Sequence, residues 1–222
     1  MTLKIENLTY YYTQNPDDYL FRDVTETFSE GVMYAILGSS GSGKTTLLSL
    51  LAGLDTPKGG KVLYDDTDIK KKGLTKYRLK TVSTVFQAYN LLTYMTAFDN
   101  VKTAINISGA TYSDEKAAIT DILKRVGLGE ELIHKKVGML SGGQQQRVAI
   151  ARSLITQSQI IIADEPTGNL DEETTRDIVK IFQDIAHDEG KIVILVTHES
   201  EVANSSDVIY ELKNRTFSEK TA

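Results

Sequence analysis

Gly38-Ser39-Ser40-Gly41-Ser42-Gly43-Lys44-Thr45-Thr46 is the run from which the rest of the chain is placed. Its first eight residues fit the pattern Gly, four residues, Gly, Lys, Thr, a loop built to hold phosphate. The apolar run Val32 to Leu37 leads into it, and Leu47, Leu48, Leu50, Leu51 and Leu54 mark one face of a helix leading out. Glycines let backbone N–H groups turn inward around phosphate oxygens, and a helix N-terminus adds partial positive charge. Lys44 then stands as a point charge for the β- and γ-phosphates, and the Thr45 hydroxyl as a ligand for Mg²⁺. A flexible Gly/Ser turn with a solvated lysine shares this composition but not the strand before it and the helix after it. Gly38 to Thr46 is therefore expected to cradle Mg-ATP.

Outward from the loop, Thr81 to Phe86 is β-branched and apolar and ends at Gln87; Ile160 to Ala163 ends at Asp164 and Glu165; Ile192 to Val196 ends at Thr197 and His198. Near-continuous apolar runs of this length read as buried parallel strands. Ligands of open α/β sheets sit beyond the carboxyl ends of strands, so four strand ends each deliver a polar group to one place. Asp164 is expected to hold Mg²⁺ through water, with Thr45 as a further ligand. Glu165 is expected to orient or deprotonate the attacking water, and His198 to contact the γ-phosphate. Singly, each has a plainer reading: Gln87 as a strand cap, His198 as a structural histidine, and Asp164 and Glu165 as the start of a turn enforced by Pro166. Jointly, beside a phosphate loop, they read as catalytic.

Between these strands lie helical patterns, including Ile178, Ile181, Phe182 and Ile185 on one face, in a helix opened by Asp171. The middle of the chain, 88–156, shows amphipathic helices at Asp114 to Val126 and Gly143 to Ile155 and no strand pattern. The start, Leu3 to Tyr12 and Leu20 to Phe28, reads as antiparallel strands around a polar turn at Gln14 to Asp18. The expected architecture is one α/β domain over 1–222: a phosphate-loop core (1–87 and 157–222) with a mostly parallel sheet, an N-terminal antiparallel β part, and an inserted α-helical subdomain (88–156).

The bulk composition bounds the function. The 222 residues carry a net charge of −5, which argues against a nucleic-acid partner, and no cysteine, which removes disulfides and thiolate chemistry. No apolar run approaches the roughly 20 residues that span a bilayer, so any membrane crossing is expected from another chain. A cluster of Lys70, Lys71, Lys72, Lys76, Arg78 and Lys80 reads as a solvated face, with contact to anionic lipid as the alternative.

Leu140-Ser141-Gly142-Gly143-Gln144 is a second candidate cradle. Ser141 and Gln144 have capping-box spacing, and two glycines in the first turn leave N–H groups bare for an anion; a well-capped helix is the plainer reading. With the phosphate loop before it and Asp164-Glu165 after it, this run resembles ABC-type ATPases over nearly the whole chain. The resemblance implies two ATP molecules sandwiched in a head-to-tail homodimer formed on ATP binding, with Ser141, Gly142, Gly143 and Gln144 of one copy covering the γ-phosphate held by the other. It implies that Gly168-Asn169-Leu170-Asp171 crosses that interface, while Asp171 can serve as a helix cap as well. It implies that Gln87 ligates Mg²⁺ and senses a permease, and that His198 is a switch histidine. It also implies an aromatic near the N-terminus stacked on adenine: Tyr12 by register, then Tyr11, with Tyr10 the third contender.

Ala163 to Asp171, Val85 to Leu92 and LSGGQQQRVAIAR resemble one branch more closely: the macrolide-efflux, lipoprotein-releasing, antimicrobial-peptide-resistance and FtsE-like ATPases. The implied function is an ATP-hydrolysing motor on the cytoplasmic face of the cell membrane, bound peripherally to an integral-membrane permease of an exporter or mechanotransmission system. The alternatives are an FtsE-like regulator of a membrane partner and an ABC ATPase that works away from membranes. Two places depart from the branch pattern: Val137-Gly138-Met139 where a proline is usual, and Asp65-Asp66-Thr67 in place of a glycine-bearing turn.

Overall fold

The computed structural model describes residues 1–13, 15, 18–213 and 215–220. Two strands, β1 (Thr2–Tyr11) and β2 (Tyr19–Ser29), open the chain as an antiparallel pair. Three residues of the expected turn between them, Gln14, Pro16 and Asp17, lie outside the described residues. Then come β3 (Met33–Leu37), α1 (Lys44–Leu51), β4 (Gly59–Tyr64), β5 (Thr67–Asp68), α2 (Ile69–Lys72), α3 (Leu74–Lys80) and β6 (Val82–Val85). A helical stretch holds α4 (Ala97–Ser108), α5 (Glu115–Arg125) and α6 (Gly142–Leu154), with short 3-10 turns at Glu130–Leu132 and Val137–Met139. The chain ends with β7 (Ile160–Asp164), α7 (Glu172–His187), β8 (Ile192–Thr197), α8 (Ser200–Asn204), β9 (Val208–Lys213) and β10 (Thr216–Glu219).

The strands form two sheets, an antiparallel one ordered β2-β1-β4-β5 and a mixed one ordered β10-β9-β3-β8-β7-β6. All neighbours in the second are parallel except β9 and β10. Its register positions the site. Leu37 pairs with Thr197, Asp164 with Val196 and Val85 with Ala163, so β3, β8, β7 and β6 end nearly level. Whatever follows each strand emerges along one edge.

Both faces of the central strands β3, β7 and β8 are buried, which is why they read as unbroken apolar runs. Side chains alternate across the pleat. Ile160 and Ile162 pack with Leu47, Leu48 and Leu51 of α1 and with the antiparallel sheet, whereas Ile161 and Ala163 pack with α4 to α7. Asp114 and Asp171 cap α5 and α7 through bonds from the Ala117 and Thr174 amides, at 2.9 Å each.

Leu54 departs from expectation. It is not on the buried face of α1 but 54% exposed, three residues past the helix end. Gly53, at φ +65, ends the helix: its own N–H reaches Leu50 O and the Leu54 N–H reaches Ser49 O at 2.8 Å, a Schellman closure that carries the chain away from the helix face. The unusual turn Asp65-Asp66 is a two-residue hairpin with both φ positive, +46 and +58. Aspartate tolerates that region, and both carboxylates are used, Asp65 by the Thr2 amide and Asp66 by Lys4.

Candidate nucleotide site

The loop after β3 is held open by its glycines. A Cβ on Gly38 would fall 2.7 Å from both Leu212 O and Ser42 Oγ, and Gly41 and Gly43 have φ of +77 and +106. Gly43 starts α1 with no side chain capping the helix, which leaves its first amides to a ligand. The Ser42 hydroxyl is buried with no hydrogen-bond partner. An orphaned hydroxyl beside uncapped helical amides fits a polyphosphate. Lys44, only 6% exposed, donates to Gly38 O and Ser39 O at 2.8 and 3.0 Å and stands 3.8 Å from Glu165 Oε1. A cavity of about 360 Å³ runs from Tyr12 and Leu20 past Ser40, Gly41 and Gly43 to Thr45, Thr46 and Glu165.

Thr45 Oγ1 donates to Asp164 Oδ2 at 3.4 Å. Burial, then the neighbouring Glu165 charge, raises the Asp164 carboxyl above its ordinary range, against opposing effects of Thr45 and Lys44. Among the described residues no cluster of three His, Cys, Asp or Glu could hold a metal. A cation here would draw instead on a hydroxyl, a carboxylate and the Gln87 amide oxygen, the hard oxygens that suit Mg²⁺ alongside water and phosphate. Gln87 is exposed past the end of β6, its amide nitrogen 3.2 Å from where a Cβ on Gly168 would lie.

Glu165 has φ +46, unusual for a side-chain-bearing residue. Its N–H reaches Val196 O at 2.8 Å, prolonging the ladder by one residue, and its carbonyl accepts from Gly168. The carboxylate lies 3.1 Å from His198 Nδ1. A strained backbone of this kind persists where its surroundings hold it and collects at functional sites. The sequence reading missed the brace behind this pair. Buried Thr167 donates to Glu199 Oε1 at 3.2 Å, and the Glu199 amide donates to Thr197 Oγ1 at 3.0 Å, tying the turn after β7 to the end of β8. Their only sequence signal is adjacency to Asp164-Glu165 and His198.

Tyr12, 71% exposed, lines the cavity, with its hydroxyl paired to Thr46 Oγ1 and its ring edge-on to Tyr10. Tyr10 is buried, donates to Asp55 Oδ2 at 2.7 Å and has its hydroxyl pushed up to about 12, first by that bond to a carboxylate. Tyr11 is half-buried in the β1–β2 pairing, opposite Tyr19.

Ser141 caps α6 in a full capping box: the Gln144 amide donates to Ser141 Oγ and the Ser141 amide to Gln144 Oε1. This end of α6 does not line the cavity. A Cβ on Gly142 would meet Tyr89 Oη at 3.1 Å, and one on Gly143 would meet Thr174 Cγ2 at 2.6 Å. Asp171 serves as the cap of α7, accepting from the Thr174 amide and hydroxyl. The structure thus gathers Lys44, Thr45, Asp164, Glu165 and His198 and leaves Ser141 to Gln144 apart from them.

A two-faced sheet ending in a lysine-bearing loop, a threonine–aspartate pair and a glutamate–histidine pair defines a phosphate-loop ATPase. The sequence profile of the family described as "ABC transporter" matches residues 21–168. The chain is 48% identical to the uncharacterized ABC transporter ATP-binding protein YclH of Bacillus subtilis, over 98% of this chain and 96% of that one. It is 40% identical to the lipoprotein-releasing system ATP-binding protein LolD of Rickettsia bellii, over 96% and 95%. The solved dimeric structure of a post-hydrolysis state of the ATP-binding cassette MJ0796, bound to ADP and Pi, superposes with a TM-score of 0.87 at 35% identity, covering 99% of this chain and 98% of that one. The chain belongs to the ABC transporter family, as one of its ATP-binding, ATP-hydrolysing cassettes.

Proposed function

We propose that this chain is the motor of an exporter- or mechanotransmission-type ABC system, working as a homodimer at the cytoplasmic face of a membrane beside a separate permease. The observation that carries the reading is the level ending of β3, β6, β7 and β8, beyond which Lys44, Thr45, Asp164, Glu165 and His198 lie close together. Lys44 exchanges the carbonyls of Gly38 and Ser39 for β- and γ-phosphate oxygens. Thr45, Asp164 and Gln87 would hold Mg²⁺, which would neutralise charge on those phosphates. Glu165 orients the attacking water and takes its proton, steadied by His198, which reaches the γ-phosphate once ATP is bound. Such catalysis is positioning and electrostatics more than covalent chemistry. Tyr12 stacks on adenine. Ser141, Gly142, Gly143 and Gln144 of the second copy close over the γ-phosphate, with Asp171 at the interface, so the cavity is half of a composite site.

Among the described residues no helix is long and apolar enough to cross a membrane. A groove of about 420 Å³ between α3, β6, α4 and α6 fits the permease contact. It is mostly apolar, lies beside the segment that follows Gln87, and is rimmed by exposed Leu54 and Ile107. The helical region 88–156 would carry that contact as one unit.

The Glu165→Gln chain tests the reading: it should bind ATP, stop turning over and accumulate as an ATP-bound dimer by light scattering. Hydrolysis at the normal rate would remove Glu165 as base.

A further inference from the structure

The turn that follows Gln87 is strained. Tyr89 and Asn90 both have positive φ, +58 and +50, and the Asn90 amide closes back on Ala88 O at 2.6 Å. Two successive left-handed side-chain-bearing residues are costly and persist only where neighbours impose them. Their conformation also aims two successive carbonyls to the same side. There the Arg152 guanidinium, on the last turn of α6, takes both: Nη2 donates to Tyr89 O at 2.8 Å and Nη1 to Asn90 O. Burial lowers the tendency of Arg152 to stay charged, and the partners that its guanidinium takes are carbonyls. Its charge is spent on these two carbonyls, in the bidentate geometry that a lysine cannot reproduce. The far end of the same loop is tied to α4 by buried Asn100, which accepts from the Leu92 amide and donates to Leu92 O. From Tyr89 the side chain runs back to the start of α6, with its hydroxyl at Gly142.

We propose that Arg152 is a positioning residue for Gln87: its fork fastens the Tyr89–Asn90 turn to α6, so that Gln87 follows the helix bearing Ser141 to Gln144 rather than the strand β6 that precedes it. The inference rests on the reading of Gln87 as a site residue. Without the fork the turn has no reason to keep two left-handed residues, and Gln87 loses its fixed approach to the triphosphate. A misplacement on the order of 1 Å is enough to cost about a hundredfold in rate.

The test uses the full chain as wild type, R152Q, R152K, Q87A and the double variant R152Q/Q87A. Hydrogen exchange reads the backbone amides of 88–92, and steady-state hydrolysis is measured below the melting temperature of each variant. Expected are faster exchange at 88–92 in R152Q, kcat lowered about tenfold or more with KM for ATP nearly unchanged, and no restoration by R152K. In the Q87A background R152Q should slow turnover no further, because it acts through Gln87. If R152Q folds poorly, R152K carries the same comparison. Unchanged exchange at 88–92, or an R152Q effect that multiplies with that of Q87A, overturns the role of Arg152 and leaves Gln87 standing. Normal turnover by Q87A alone overturns the reading of Gln87, and this inference with it.

Discussion

The N-termini of α1 and α6 present the same backbone amides and differ in what surrounds them. At α1 no side chain caps the helix, and Lys44, Asp164 and Glu165 close in around the opening. At α6 Ser141 and Gln144 satisfy each other in a capping box, and the glycines lie against Tyr89 and Thr174, away from the cavity. On the proposed reading α1 offers an open cradle, and α6 a finished surface that a second copy presses over it. Chemistry that needs both must bring a second copy.

The largest effect should come from the α1 end. Lys44→Ala removes the cation of the cradle, and hydrolysis should fall by about a thousandfold or more, with nucleotide binding lost as well, read by ATPase assay and calorimetry. Retained binding and turnover would undo the contrast. Glu165→Gln should lower turnover by about a thousandfold while leaving binding intact, which separates chemistry from closure. At the other end, Ser141→Ala breaks the capping box and should cost about 1 kcal/mol of stability in a denaturant titration. No comparable loss is expected at α1, where no capping side chain exists to remove.

The smallest effect has the opposite sign. Because Asp164 is raised by burial and by Glu165, the folded chain holds its proton more tightly than the unfolded chain does. That opposes folding above the folded-state pKa, and the penalty fades as the pH falls through it. Asp164→Asn should therefore raise the melting temperature near neutral pH by roughly 2 °C, with the gain shrinking toward acid, while hydrolysis is lost. A lower melting temperature at neutral pH would contradict this electrostatic reading.

What could be read from the sequence divides along physical lines. Strands buried on both faces announce themselves, so β3, β6, β7 and β8 and the groups at their ends were expected, as were α5, α6 and α7, the last two with their caps. The strand β4 begins with two glycines, β9 and β10 form the outer hairpin of their sheet, and α4 carries a polar face behind the Thr96 cap; none offers a strong pattern by itself. Leu54 followed the helical spacing but lay past a Gly53 closure that periodicity does not see. In the site, Lys44 and Asp164 follow from local motifs. The Thr167–Glu199 brace and the Arg152 fork join residues 32 and 62 to 63 positions apart, and only the fold brings such pairs together.

Mixing two disabled chains tests most directly whether α1 of one copy needs α6 of the other. Lys44→Ala keeps an intact Ser141 end, and Ser141→Arg keeps an intact phosphate loop; each alone should be inactive. Mixed in equal amounts, they should recover about a quarter of the wild-type ATPase rate, since half of random pairs are mixed and each of those holds one complete site. No recovery in a mixture shown to form mixed dimers, or full activity of Ser141→Arg alone, would contradict a site shared between two copies.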